Sequence, residues 1–295
     1  MNHKSSGHPD SLSSLWRDSS AQAVGVMLLA GLGFSYAHVL KAIVAQWWTN
    51  NLYSYGFLIP PISLYLIWLH RDPIQLLRPR PNCMGGGALL GAGLTMLILG
   101  HSGSILALQE LSLPVTLSGL VLTLLGTQVL KSLAFPLAYL LFMIPVWEIL
   151  TDHLHLPFQL LSATIGLVLL QVVGIPAFRE GLYIELPQIT LEVAQVCSGV
   201  NYLIAVIAIG IPLAVLFLHG WRRRALLLGL SIVIATLSNG LRVALIGLLA
   251  YYGFPGDIHG PFHVLQGILV SMIGYAALFA GLFVLSNRSP FAARP

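Results

Sequence analysis

The chain has 295 residues, of which 57% are hydrophobic and only 8% are charged, and its formal net charge is +4. Soluble domains carry about 25% charged residues, so this chain cannot cover itself with a water-facing surface. Its apolar runs approach or exceed the ~18 residues of a transmembrane helix, and they are continuous rather than alternating, which excludes a membrane β-barrel. The basic residues form short clusters between these runs, as topology signals do, and indicate no nucleic-acid partner.

The order of apolar runs predicts an all-α polytopic membrane protein. Residues 1–20 are polar and serine-rich and are expected to form a disordered cytoplasmic tail, and residues 287–295 a cytoplasmic C-terminal tail. Between them, residues 21–286 should form one integral-membrane domain with about eight transmembrane helices. The predicted spans are 21–45, 55–70, 84–101, 105–126, 132–150, 197–218, 225–251 and 264–286.

Positive charges assign the two sides of the membrane, because Lys and Arg are enriched in cytoplasmic loops. Each basic cluster of this chain should therefore be cytoplasmic. The clusters are Lys4 and Arg17, then Arg71, Arg78 and Arg80, then Lys131, then Arg222–Arg224, and finally Arg288 and Arg294. These assignments agree only if an even number of crossings separates Lys131 from Arg222.

The apolar segment 156–175 must then not cross the membrane fully. Pro157, Gly174 and Pro176 bound it, so we predict an interfacial or re-entrant segment. Everything from about 151 to 196 is then extracytoplasmic. Within it, "GLYIELPQITLEVA" has β-favouring residues on both sides of a Pro-Gln turn and predicts a short extracytoplasmic β-hairpin.

Three successive helix ends bring reactive residues to this outer face. Cys197 opens one span, Arg242 lies in the outer half of the next, and His263 begins the last. A lone cysteine is more often a packing residue and a loop histidine is usually solvated. A charge within a span costs at least ~2.5–3.5 kcal/mol, however, and normally serves function. The other cysteine, Cys83, forms no CxxC motif with Cys197, so a disulfide framework is unsupported.

Together these three residue types suit acyl transfer. A cysteine becomes a strong nucleophile as the thiolate, which nearby cations and a helix N-terminus favour. A histidine can take the thiol proton and later donate one to a leaving amine. An arginine can stabilise the oxyanion of a tetrahedral intermediate. The expected intermediate is a thioester.

At these residues the chain resembles the exosortase/archaeosortase family. The order and spacing of the motifs are more specific than any one of them, and the resemblance covers about residues 25–285. The matching motifs are Cys197-Ser198-Gly199, Asn239-Gly240-Leu241-Arg242-Val243, His263 in "HVLQG", "YSYGFLIPPISLYLIW" (53–68), "FMIPVWEIL" (142–150) and "REGLYIELPQITLEVAQVCSG" (179–199).

This resemblance implies a cysteine protease-transpeptidase of the bacterial inner membrane whose active site faces the periplasm or the outside. Family substrates are exported proteins that end in a Pro-Glu-Pro-type motif, a transmembrane helix and a basic cluster. The acceptor would be an unknown group, glycan or lipid-linked, and family members often accompany extracellular polysaccharide synthesis. By position, Cys197 would be the nucleophile, Arg242 the oxyanion stabiliser or substrate-orienting cation, and His263 the acid/base. Membrane lipids are the other expected partner, and no cofactor or metal is implied.

Other residues are candidates for support. His259 is the alternative to His263, which we favour because Gly267 stands in an HxxxG relation to it. Asn239 would hold the Arg242 guanidinium or a substrate carbonyl, or simply pack. The remaining candidates are Ser198 and Gly199 beside the cysteine, and Tyr55, Gly56 and Pro60, which would shape a groove for the substrate helix or pack a kinked helix.

Two other classes of protein remain open at this point. A transporter or scaffold of an export or polysaccharide pathway would explain the spans and Arg242, but not the cysteine and histidines. A metal-dependent membrane hydrolase would use Cys197, His259 and His263 as zinc ligands. Gly260 and Pro261 disfavour it, because they break the helix that would set the two histidines four residues apart.

Overall fold

The structure is a computed structural model that describes residues 19–69, 71–75, 77, 79–145, 151–253 and 261–286. These residues pack into two compact units that divide near residue 146. Helices dominate each unit, which confirms the predicted all-α membrane fold. Three parts of the predictions lie outside the described residues: residues 1–18 of the N-terminal tail, His259 and the tail 287–295.

The regular elements described in the first unit are all helices, and an isolated β-bridge joins Arg80 to Gly126. Its 3-10 segments are Asn51–Leu58 and Leu140–Met143. Its α-helices are α1 Ser19–Ser35, α2 Ala37–Thr49, α3 Ile59–Leu69, α4 Arg71–Gln75, α5 Cys83–Ser102, α6 Leu106–Leu124 and α7 Thr127–Tyr139.

Small residues join α5 to α6. Gly86, Gly93 and Gly100 recur on one buried face of α5, and a Cβ at Gly93 would lie 2.8 Å from the backbone nitrogen of Thr116 on α6. The missing side chains let the two backbones approach closely, which is how membrane helices pair when apolar burial gives little preference for one neighbour.

The second unit carries the predicted outer-face residues. Its 3-10 turns are Asp152–Leu154 and Gln195–Cys197. Its regular elements are α8 His155–Val172, β1 Phe178–Glu180, β2 Tyr183–Glu185, β3 Thr190–Glu192, α9 Val200–Phe217, α10 Trp221–Tyr251 and α11 Pro261–Leu285.

The strands form an antiparallel sheet in the order β1-β2-β3. The predicted hairpin is β2–β3, in which Ile184 pairs with Leu191. Strand β1, which the sequence analysis does not anticipate, extends it through the pair Arg179 and Ile184. Gly181 makes that extension possible, because the β1–β2 turn needs a positive φ, here +59°.

Helix α10 is the axis of the second unit. Helix α9 runs antiparallel to it, and at their shared end Arg224 donates from Nε to the carbonyl oxygen of Leu218 at 3.1 Å. Helix α8 instead runs parallel to α10. A Cβ on Gly240 would meet Ile165, and one on Gly247 would lie 2.8 Å from a methyl of Leu170, so residue numbers rise together along the contact.

Each of the nine predicted apolar segments corresponds to a helical segment. Among the described residues, six helices are long and apolar enough to cross a membrane, or seven if Gly25–Ser35 and Ala37–Thr49, bent by 60°, form one span. Tyr53–Leu69 and Thr127–Met143 are shorter apolar helices, so the predicted number of eight is approximate. The segment predicted as interfacial or re-entrant is the unbroken helix α8, which has the length of a span.

Candidate active site

Cys197 ends the 3-10 turn that leads into α9. Its backbone N–H donates to the carbonyl oxygen of Ala194 at 2.8 Å, and α9 begins three residues later at Val200. Gly199 between them has φ +82°, and a Cβ there would lie 2.7 Å from Cγ of Asn239. Position 199 therefore needs glycine both for its backbone conformation and for the approach of α10.

The side chain of Cys197 is half-buried. It packs against an apolar cluster built from three sources: α8, the sheet and the outer half of α10, by which we mean residues 238–251. The buried members of this cluster are Ala163, Leu170, Ile175, Ala177, Ile184, Leu186, Val193, Val243, Ala244 and Ala250. The nucleophile candidate thus lies where the sheet, α8 and α10 meet, at the N-terminus of α9.

Asn239 ties the cysteine turn to two helices. Its Nδ2 donates to the carbonyl oxygen of Cys197 at 2.7 Å and to Oγ of Ser162 on α8 at 2.8 Å. The side chain is 4% exposed, so both amide protons are satisfied away from solvent. Asn239, which was predicted to support the site, is therefore bonded to the backbone of the cysteine itself.

Arg242 lies one helical turn beyond Asn239 on α10. Three residues of helix advance about 4.5 Å, so the backbone of Arg242 is close to the level at which α10 meets the cysteine turn. Its side chain is half-buried. The structure thus brings the Cys197 turn and the Arg242 segment of α10 together.

The third predicted residue, His263, is in the first turn of α11. About three helical turns separate it from Gly274, where a Cβ would lie 3.1 Å from Oγ of Ser238 on α10. Because α11 runs antiparallel to α10, His263 belongs to the end of α11 that is nearer the outer half of α10. Its side chain, like the whole of His259, is outside the described part of the chain.

A polar stripe on α8 completes the surroundings of Cys197 and was missed by the sequence analysis. His155, Gln159 and Ser162 are all buried. Nδ1 of His155 is 2.8 Å from Oγ of Ser198, and Nε2 of Gln159 donates to the carbonyl oxygen of Val193 at 2.8 Å. Their spacing of i, i+4 and i+7 within an apolar run is the signal that would have identified them as one face of a helix.

The three residues proposed for a substrate groove are in the first unit. Tyr55 is 8% exposed and Pro60 is half-buried. Gly56 is buried against the indole of Trp47, where a Cβ would collide with the ring. Trp47 in turn donates from Nε1 to the carbonyl oxygen of Met143 at 2.9 Å.

The described side chains include no cluster that could hold a metal ion. Among these, no three His, Cys, Asp or Glu residues lie close enough to share a metal ion. The alternative zinc site depends on His259 and His263, whose side chains are outside this set.

Comparison with known proteins identifies a family match. The family model described as Transmembrane exosortase (Exosortase_EpsH) matches residues 47–280. That range is most of the chain and contains the cysteine turn, the Asn239–Arg242 segment and His263. No curated protein and no solved structure matches the chain.

Proposed function

Because the chain belongs to the transmembrane exosortase family, we propose that it is a membrane-embedded cysteine protease-transpeptidase that removes C-terminal sorting tails through a thioester intermediate. The family implies exported proteins with sorting signals as substrates. The proposed tail consists of a Pro-Glu-Pro-type motif, a transmembrane helix and a basic cluster.

The proposed reaction has two steps. The Cys197 thiolate attacks the carbonyl carbon of the scissile peptide, and His263 holds the thiol proton. Arg242 stabilises the oxyanion or orients the substrate. When the intermediate collapses, the C–N bond breaks, His263 protonates the leaving amine, and the exported protein remains as a thioester. An acceptor nucleophile, glycan or lipid-linked, or water then releases it and regenerates the thiol.

The observation that carries this proposal is the hydrogen bond from Asn239 to the Cys197 carbonyl. It joins two motifs that are 42 residues apart in sequence and sets the cysteine at the N-terminus of α9, where the first N–H groups have no partner within the helix and favour an anion. A packing cysteine needs none of this. A transporter or scaffold would have no use for a thiol on a fixed turn beside an arginine-bearing helix.

The dimensions of α10 support an extracytoplasmic site. The helix has 31 residues and is therefore about 46 Å long, against a hydrocarbon core of about 30 Å. With Arg222–Arg224 at the cytoplasmic boundary, Arg242 falls about 30 Å further along the helix, in the outer part of the span. Cys197, the sheet and the end of α8 would then face the periplasm or the outside of a bacterial inner membrane.

The direction of α8 bears on the predicted re-entrant segment. Ser162 pairs with Asn239, so the start of α8 is level with the middle of α10. A helix parallel to α10 that starts at mid-depth leads outward and passes through only the outer half of the membrane. We therefore retain the re-entrant topology, with residues 21–286 as one membrane domain and cytoplasmic tails at 1–20 and 287–295.

This orientation is testable by labelling. Single cysteines at Glu180 and at Arg223, placed in a Cys83→Ala/Cys197→Ala chain, should react with a membrane-impermeant maleimide from opposite sides. Position 180 should react in intact spheroplasts, and position 223 only after the membrane is opened. Labelling of both from the same side would contradict the proposed placement.

The enzymatic proposal is tested by trapping the thioester. The protein in lipid nanodiscs is mixed with a peptide that carries Pro-Glu-Pro, an apolar helix and three arginines, then quenched in acid. Mass spectrometry should find the N-terminal peptide fragment on Cys197, releasable by hydroxylamine. Cys83→Ala should form the same adduct, and Cys197→Ala should form none and leave the peptide uncut. Continued cleavage by Cys197→Ala would remove the cysteine mechanism. Peptide binding without cleavage by the parent protein would favour the scaffold alternative.

A further inference from the structure

The residue after the cysteine is held by a buried histidine of α8. Nδ1 of His155 is 2.8 Å from Oγ of Ser198. His155 is 5% exposed and Ser198 is 2% exposed, so this bond lies away from solvent. His155 is at the first residue of α8, 43 residues before Ser198 in the chain.

The hydroxyl of Ser198 bonds in two directions. Its Oγ accepts the backbone N–H of Val200 at 3.3 Å. The same oxygen forms the hydrogen bond with Nδ1 of His155, and the tautomer of the ring decides which of the two atoms donates. One side chain thus links α8 to the first residue of α9, across the turn that contains the cysteine.

The backbone of Ser198 is fixed as well. Its N–H donates to the carbonyl oxygen of Gln195 at 3.0 Å, and its carbonyl oxygen faces Oγ of Ser162 at 3.4 Å. Ser162 also receives the Asn239 amide. Two hydrogen bonds therefore hold the Cys197 turn. The Cys197 carbonyl is bonded to α10, and the side chain of the next residue, Ser198, is bonded to α8.

We propose that His155 and Ser198 form a positioning pair that fixes the Cys197 turn against α8 and so aims the thiol at the scissile carbonyl. The proposal rests on the proposed function, in which Cys197 is the nucleophile. His155 acts through Ser198 and needs no contact with the substrate. A displacement of about 1 Å at a reacting atom can cost about 100-fold in rate, so a buried anchor next to the nucleophile has a direct kinetic effect.

A double-mutant cycle tests the pair in a Cys83→Ala background, where Cys197 is the sole cysteine. His155→Ala and Ser198→Ala should each lower kcat for the sorting peptide about tenfold, because the turn that carries the thiol is no longer held in place, with KM within about twofold. The double variant should be no slower than either single variant, because the two changes remove one interaction. Additive losses would overturn the pairing.

A second readout does not depend on a peptide substrate. The rate of Cys197 alkylation by iodoacetamide should rise in both single variants, since the freed turn no longer holds the thiol against the apolar cluster, and should rise no further in the double variant. If the parent protein cuts no sorting peptide but the alkylation cycle shows this coupling, the positioning pair stands and the proposed function fails. Parent-like alkylation in both single variants would overturn the pair.

Rescue and control variants separate positioning from folding. His155→Asn returns a hydrogen-bonding group near the place of Nδ1 and should restore kcat to within about threefold of the parent, a residual cost of under 1 kcal/mol. His153→Ala changes an exposed histidine two residues away and should leave kcat and alkylation unchanged. The melting temperature of each variant is measured in detergent, so that a loss of rate can be separated from a loss of stability. If His155→Ala does not fold, Ser198→Ala and His155→Asn carry the test, and a His155→Asn as slow as Ser198→Ala would count against the pair.

Discussion

Helix α10 is continuous, but its two halves pack by different chemistry. The inner half, residues 221–237, buries Leu227 and Ile234 in an apolar cluster with α9 and α11. The outer half meets α8 and the cysteine turn through Asn239 and through Gly240 and Gly247, where a Cβ would press into α8. The inner half is packed by large side chains, and the outer half by small residues and buried hydrogen bonds.

This contrast shows which half can specify its neighbours. Lipid is as apolar as a leucine side chain, so apolar packing between membrane helices gives little preference for one partner or register. Close glycine contacts and buried polar groups tolerate only one arrangement, because displacement leaves a clash or an unpaired donor. The inner half therefore tolerates change in a way that the outer half, which fixes the Cys197 turn, does not.

The largest contrast is expected between arginines at the two ends of α10. Arg242→Lys keeps the charge but loses the planar fork that holds an oxyanion or carbonyl from two directions. Loss of one such donor typically costs about 100-fold or more in kcat. Arg223→Lys, at the exposed inner end, keeps the positive charge that topology needs and should process peptide at the parent rate.

Both variants should insert into the membrane at parent levels, measured by immunoblot of the membrane fraction alongside peptide cleavage. Equal rates for Arg242→Lys and Arg223→Lys would reduce Arg242 to a charge that serves topology or packing.

Two glycines of α10 provide the next comparison. Gly240→Ala would place a Cβ against the Ile165 side chain, and such overpacking typically costs about 1–3 kcal/mol. Gly229→Ala meets no atom within 4 Å and should stabilise the helix by up to about 1 kcal/mol. Thermal melting in detergent should therefore shift down for the first and up or not at all for the second. Processing should fall only in Gly240→Ala, because α8 carries the anchors of the cysteine turn. A stabilising Gly240→Ala would refute the close contact.

Much of this fold is predictable because it depends on long, local patterns. Continuous apolar runs identify the nine helical segments, since each must satisfy its backbone within itself. β-favouring residues on both sides of Pro187 identify the β2–β3 hairpin. Strand β1 was not predicted, because "FRE" is short, largely polar and exposed. It becomes a strand by pairing with β2. The bend between α1 and α2 was not predicted either, because the polar residues Ser35 and His38 around it are too few to end the apolar run 21–45.

Prediction of the site divides in the same way. Cys197, Asn239 and Arg242 stand out in the sequence as residue types that are rare in spans, and the order of the helices predicts that they share one face. His155, Gln159 and Ser162 are not found, because their importance depends on α8 lying parallel to a helix 77 residues later in the chain. No local pattern encodes that pairing, although the polar stripe itself is visible in the sequence.

Two serines that are fully buried, Ser162 on α8 and Ser231 on α10, sharpen the comparison with a smaller effect. The hydroxyl of Ser231 donates only to Leu227 of its own helix, so Ser231→Ala should change stability by less than about 0.5 kcal/mol. Ser162→Ala leaves one Asn239 proton without its acceptor and should cost about 1–3 kcal/mol. The difference is measured as the shift in melting temperature, with peptide processing as a second readout. Equal shifts would mean that the outer-half network contributes no more than a local backbone bond.

The smallest effect is expected from chelation, which tests whether the site around Cys197 needs a metal. The metal-hydrolase alternative would place zinc on Cys197, His259 and His263, ligand types that zinc accepts. A second cation there would lie near the permanent charge of Arg242, one turn from the residue bonded to Cys197, and like charges at such range repel. Treatment with 1,10-phenanthroline should therefore leave the rate of peptide processing unchanged, and added zinc should give no gain. If chelation abolished processing, and zinc restored it in the parent protein but not in Cys197→Ala, Cys197 would be a zinc ligand and not the nucleophile.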